Sequence, residues 1–251
     1  MDSGGLPCHC LGWLVATEPT PQATRNAPVF DYTPPESDRG NVDITLAVVG
    51  SRFEAPAPVF WTFAANMSKD FVEVLNAIGF RVQGPFDSYD QMTFPQKEGS
   101  ELILSAEYDF SYDTSALQAT SDTGGALLGA LIFGSQSSSD SPRYRFSGPV
   151  TVRSRVTLVL YESLSRERMW TKSLSFEPIQ VALQGTYAFP DRSLPSLEAI
   201  LSQEDQFYND LSTQLEARYQ EAMRSTYAYL DPKEVAMVSR QADSLRQRKR
   251  Y

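Results

Sequence analysis

The stretch PVFWTFAANMSKDFVEVLNAIGFRVQ, residues 58–83, decides the fold. Phe60, Phe63, Met67, Phe71, Val74, Leu75 and Ile78 recur at steps of three and four, which lays one apolar stripe along a helix beginning at Pro58. Gly79 suits the left-handed residue that ends such a helix, and Phe80 is placed to pack back onto its last turn. Phe80 to Gln83 then reads as a short strand. Upstream, Val42, Ile44, Leu46 and Val48 alternate with polar residues before the run turns continuously apolar at Ala47 to Val49, the pattern of a strand buried toward its end. Strand, helix and strand in one sheet imply a right-handed crossover if the two strands are parallel.

Downstream of the helix the period changes to two. Leu102, Leu104, Ala106, Tyr108, Phe110 and Tyr112 share one face of a long strand, with Glu101, Ser105, Glu107, Asp109, Ser111 and Asp113 on the other. Val150 to Tyr161 repeats the device, with Arg153 and Arg155 on its polar face. As antiparallel neighbours these strands set Arg153 and Arg155 against Glu107 and Asp109, each contact contributing roughly 0.2 to 1 kcal/mol. The turn Ser163 to Glu167 leads to a third strand, Met169 to Phe176.

The last quarter is helical. Leu197, Ile200, Leu201, Phe207, Tyr208, Leu211, Leu215, Tyr219 and Met223 follow a stripe from a Ser196 cap, interrupted at Glu204. Asp231-Pro232 stops it, and Asp231 to Glu234 caps a final helix carrying Val235, Val238, Ala242 and Leu245. So thin an apolar stripe docks at an edge or on a partner. At the other end, residues 14–40 hold Pro19, Pro21, Pro28, Pro34 and Pro35 with few apolar anchors, a tether that stays extended and solvated. The expected organisation is a tail and tether over 1–40, a sheet and helix domain over 41–194 with an insertion at 113–147, and a helical pair over 195–251. Its fold class is α/β (α+β), a mixed, mostly antiparallel sheet with one packed helix.

The chain has 251 residues and a net charge of −9, which argues against a broad nucleic-acid surface. Its one basic cluster, Arg246, Arg248, Lys249 and Arg250, reads as a solvated run at a helix C-terminus. All histidine and cysteine lies in Cys8-His9-Cys10, so downstream chemistry has neither imidazole nor thiol. Alternate ligands without a spaced second pair do not make a structural zinc site. Gly5-Leu6-Pro7-Cys8 resembles the end of a bacterial lipoprotein signal, which makes Cys8 and Cys10 the lipidation candidates. No run of about 18 apolar residues occurs, so the expected membrane attachment is by lipid and not by a transmembrane helix.

Three places invite a functional reading. Glu107, Asp109 and Asp113 share a strand face, as the carboxylates of a glycosidase would, but facing arginines hold such groups ionised. The segment Gly84 to Ser100 brings Asp87, Asp90, Gln96 and Lys97 together with aromatics between two strands; it is either a ligand loop or an ordered connection. The insertion holds an apolar island, Gly125 to Gly134. Its Leu127, Leu128, Leu131, Ile132 and Phe133 either tuck onto the domain or meet a partner. Gly124-Gly125 lacks the lysine of a phosphate-binding loop, and no cofactor motif is present.

Residues 71–109, FVEVLNAIGFRVQGPFDSYDQMTFPQKEGSELILSAEYD, resemble the neuraminyllactose-binding hemagglutinin family of bacterial outer-membrane lipoproteins, the flagellar sheath adhesin type. The shared elements are a helix ending near Gly79, the strand Phe80 to Gln83, a polar loop ending in Gln96-Lys97, and the strand Leu102 to Asp109. The likeness continues through Ala130 to Phe133 and Val150 to Glu167. The element order also looks like the periplasmic domain of curli-secretion-type lipoproteins. The resemblance implies an envelope lipoprotein on the outer membrane or its periplasmic face, without enzyme activity or cofactor. Such a protein binds an envelope protein or its own copies. The basic segment credited in the family with sialic-acid recognition falls near Asp113 to Thr123, which has no Lys or Arg, so the lectin role is not carried over. A glycan-binding adhesin is the alternative expectation, and a carboxylate glycosidase the third.

Overall fold

The computed structural model describes residues 25–36, 41–51, 53–121, 143–188 and 195–249. The expected helix, α1, spans Pro58–Ile78, and every member of its apolar stripe is buried. Gly79 ends it at φ 104, donating its N–H to the carbonyls of Leu75 and Asn76, while Phe80 N–H returns to Leu75. On either side lie β1 (Thr45–Val49) and β2 (Arg81–Phe86), paired in parallel. The chain then crosses under β1 through a 3₁₀ turn (Tyr89–Gln91) and α2 (Phe94–Glu98) to β3 (Leu102–Asp113), also parallel to β1. Leu46 and Val48 face α1, whereas Ala47, Val49 and Ile103 pack with Met92 in a second small core on the opposite face. The two connections therefore cover opposite faces of the strand order β2-β1-β3.

The rest of the sheet is antiparallel and organised by β5 (Arg143–Glu162). One flank of β5 pairs with β3 and then β4 (Gln118–Ser121); the other pairs with β6 (Arg168–Ser175) and β7 (Ile179–Ala188). Among the described residues this makes a seven-stranded open mixed sheet with two parallel and four antiparallel ladders. Where the partner of β5 changes from β4 to β3, Gly148 adopts φ 141, and a Cβ there would lie 2.6 Å from the Ala116 carbonyl oxygen. That close approach requires glycine.

Three further helices complete the main layer: α3 (Leu197–Gln203), α4 (Asp205–Tyr229) and α5 (Pro232–Lys249). Ser196 caps α3 by accepting from Ala199 N–H, and the stripe breaks at Glu204, which closes α3 and opens α4. Asp231 caps α5 through Lys233 N–H at 2.8 Å. Glu234 does not return to that cap; it accepts from Trp170 Nε1 at 2.7 Å, which ties α5 to β6.

Two expectations need correction. Residues 25–36 are not a solvated tether: Phe30 and Tyr32 are buried, with the Phe30 ring 5.3 Å from both Phe63 and Tyr219. The backbone of this strap is satisfied by helix side chains. Asn26 N–H donates to Asn209, Val29 N–H to Glu216, and Gln220 donates to the Asp31 carbonyl. Tyr32 N–H and the Tyr219 hydroxyl both donate to Asp70 on α1, at 2.8 and 2.5 Å. Burial pushes the Asp70 carboxyl up despite these two bonds. An extended segment anchored by two aromatics follows neither the helical nor the strand period, so the reading of composition missed it.

The second correction concerns Arg246, which is not solvated. Its Nε donates to Glu162 Oε1 at 2.6 Å, and Nη2 donates to the Ser100 carbonyl and to Ser163 Oγ. Glu162 is fully buried at the end of β5 and also accepts from Leu164 and Ser165 N–H. Burial alone would raise its pKa, but the bonds from Ser165, Arg246 and Leu164 outweigh that and hold the carboxyl below its usual range. The charged tip of α5 thus plugs into the sheet where β3 begins and β5 ends.

Candidate ligand crevice at the end of β1

Strand β1 stops at Val49, while β3 runs on to Asp113, which leaves this flank of β3 without a strand neighbour beyond Leu104 among the described residues. With connections on opposite faces of β2-β1-β3, the end of β1 is a topological switch point, the place where open α/β sheets bind ligands. A cavity of about 420 Å³ lies there. Gly50 leaves β1 with its N–H on the Phe86 carbonyl, and Ser51 follows with its hydroxyl 2.8 Å from that of Ser105.

The floor is apolar, formed by Val49 and Ile103, and four rings wall it: Phe53, Tyr89, Tyr108 and Tyr161. Phe53 is held 5.1 Å from Tyr108 and 4.6 Å from Trp61 on α1. The Tyr89 hydroxyl donates to the carbonyls of Ser163 and Leu164, fixing the 88–91 segment to the β5–β6 turn. Lys97 Nζ lies 3.8 Å and Arg166 Cζ 4.6 Å from the centre of the Tyr89 ring. Asp90 and Glu107 also line the cavity. Burial raises the pKa of the Tyr108 hydroxyl, which donates to the Ala64 carbonyl on α1 at 3.4 Å.

The four loop candidates separate in the structure. Asp90 lines the crevice. Asp87 is engaged within the loop, its N–H and carboxylate both meeting the Gln91 side chain, and Gln96 closes a capping box with Thr93. Lys97 contributes through the Tyr89 ring. Reading the loop alone misses Ser51, Tyr161 and Arg166, which come from other segments. Arg166 in particular sits at φ 59, a conformation that nothing in its residue type announces.

The acidic face of β3 is divided among local partners. Asp109 stands opposite Arg155 as expected, but Arg153 faces Ser111, and Glu107 faces Thr157. Glu107 is taken up instead by Arg168 of β6 and by the Tyr161 hydroxyl. Asp113 accepts from Ser115 N–H at 2.8 Å, and hydrogen bonding to Ser115 lowers its pKa. Among the described residues no group of three or more His, Cys, Asp or Glu is placed to hold a metal ion. No described helix is long and apolar enough to cross a membrane. Cys8 and Cys10, and the island residues Leu127, Leu128, Leu131, Ile132 and Phe133, lie outside the described residues.

No protein-family model matches the chain, and no curated relative does. Solved structures do. A neuraminyllactose-binding hemagglutinin homolog from Helicobacter pylori superposes with a TM-score of 0.56 at 11% identity, over 87% of this chain and 100% of that one. A protein of the DUF330 family from Xanthomonas campestris aligns at 12% identity over 81% of this chain and 98% of that one, with a TM-score of 0.27. The first of these establishes a shared fold.

Proposed function

We propose that this chain is a non-catalytic binding protein of the bacterial cell envelope, lipid-anchored through Cys8 or Cys10, that recognises a partner molecule through the crevice at the end of β1. The crevice carries this reading: a preformed cavity walled by four rings, at the switch point of the sheet, is built to hold a ligand or a partner side chain. The envelope setting is supported by the fold shared with the hemagglutinin homolog and by the lipoprotein-like Gly5-Leu6-Pro7-Cys8. Binding rather than catalysis is favoured because Glu107 and Asp113 have local partners, and Asp109, opposite Arg155 in the ladder, lies on the same strand as both, so the three do not face one another as an acid and a nucleophile would.

A glycan-binding adhesin is a second reading, favoured by the Tyr161 ring in the cavity wall, which suits the apolar face of a sugar. Photo-crosslinking in intact cells tests recognition. A photoreactive residue at the half-exposed Trp61, beside Phe53, is expected to capture a partner. One at Met237, exposed on α5, is not. The reverse pattern would overturn the proposal.

A further inference from the structure

Arg166 occupies an unusual position. The β5–β6 hairpin closes through Glu162 N–H to the Glu167 carbonyl and Arg166 N–H to the Glu162 carbonyl, both 2.9 Å. Its last loop residue must turn left-handed, a position that glycine or asparagine fills at lower cost. Arg166 is the one non-glycine residue with positive φ among the described residues. Strain of this kind, kept at a cavity wall, points to a use for the side chain.

The guanidinium lies over the Tyr89 ring and makes no ion pair among the described residues. A guanidinium resting on a ring face keeps its N–H donors free in its own plane, the arrangement that receives a carboxylate or phosphate through two bonds. The neighbouring charges leave that capacity unspent: Arg168 and the Tyr161 hydroxyl take up Glu107, and Asp90, the other carboxylate lining the cavity, makes no ion pair with Arg166 among the described residues. Beside Arg166 the cavity offers the apolar floor of Val49 and Ile103, the rings, and the Ser51–Ser105 hydroxyl pair.

Resting on the reading of the crevice as the recognition site, we propose that it takes a small organic anion, a carboxylate or phosphate monoester carried on a ring, with the anionic group received by Arg166. The ring lies against Tyr161 over the apolar floor, and the serine hydroxyls serve its polar substituents.

The test is an amide-shift titration of the full chain with benzoate, phenyl phosphate and neutral benzyl alcohol, read at Ser51, Tyr89 and Ser105. Benzoate or phenyl phosphate should bind at least ten-fold tighter than benzyl alcohol, and the tighter of the two identifies the head group. Arg166→Gly, which suits the left-handed position, should melt at the same temperature or higher and lose that preference. If benzyl alcohol binds as well as the anions, or the preference survives in Arg166→Gly, the anion subsite is overturned while the crevice stands. If no probe moves these amides, both readings fail.

Discussion

Replacing Arg246 with methionine probes how the C-terminal helix is held. The variant keeps most of the side-chain volume and removes the one cation paired with Glu162 among the described residues; the Glu162 side chain is 0% exposed, against 18% for that of Arg246. Removing one partner of a buried ion pair costs about 3 to 5 kcal/mol, because the remaining charge stays buried without its counter-ion. Partial exposure of Arg246 and the N–H groups of Leu164 and Ser165 still bonded to Glu162 place the expected loss near the lower end, about 3 kcal/mol. For a chain of this size that is a fall of roughly 6 to 12 °C in melting temperature. Urea unfolding of both proteins measures it. The pH dependence has a definite sign. The folded-state pKa of Glu162 is lowered, so its stabilisation is complete above the ordinary glutamate value of about 4.3 and is lost as pH falls through the folded value. The gap between the two proteins should therefore narrow in acid. A loss below about 1 kcal/mol at neutral pH, or a gap that widens in acid, would refute the role given to this pair.

Other consequences follow from the packing. Phe71→Ala, in the fully buried stripe of α1, should cost about 3 to 5 kcal/mol in the same unfolding assay. Phe30→Ala should cost about 3 kcal/mol, and a chain beginning at Asn41 should melt lower than one beginning at Arg25; equal melting would mean the strap contributes nothing. Gly148→Ala should destabilise by more than about 1 kcal/mol, since neither its φ nor the Ala116 carbonyl accommodates a Cβ.

What could be read from the residues tracks how local each signal is. The α1 stripe, its Gly79 terminus and the two-residue alternation of β3 and β5 depend on neighbours in sequence, and all three are present. The facing of Arg155 and Asp109 was legible, but the offset that sets Arg153 against Ser111 depends on ladder register, which alternation alone leaves open by steps of two. The strap was hidden because its donors find acceptors 180 or more positions away on α4, at Asn209 and Glu216. Arg246 looked like one of several terminal cations, and only the docking of α5 on β6 separates it from Arg248. The crevice draws on four distant segments, around Ser51, Tyr89, Ser105 and Arg166, so the loop holding Asp90 and Lys97 showed one wall of it.

Hydrogen–deuterium exchange maps the recognition surface most directly, comparing the purified protein alone with the protein incubated with envelope fractions of the cells that make it. Slower exchange is expected at residues 49–51 and 53, 88–90, 103–108 and 161–166, the four segments that enclose the crevice. Protection confined to the outer face of α5, around Met237 and Arg240, with those four segments unchanged, would contradict recognition at the end of β1.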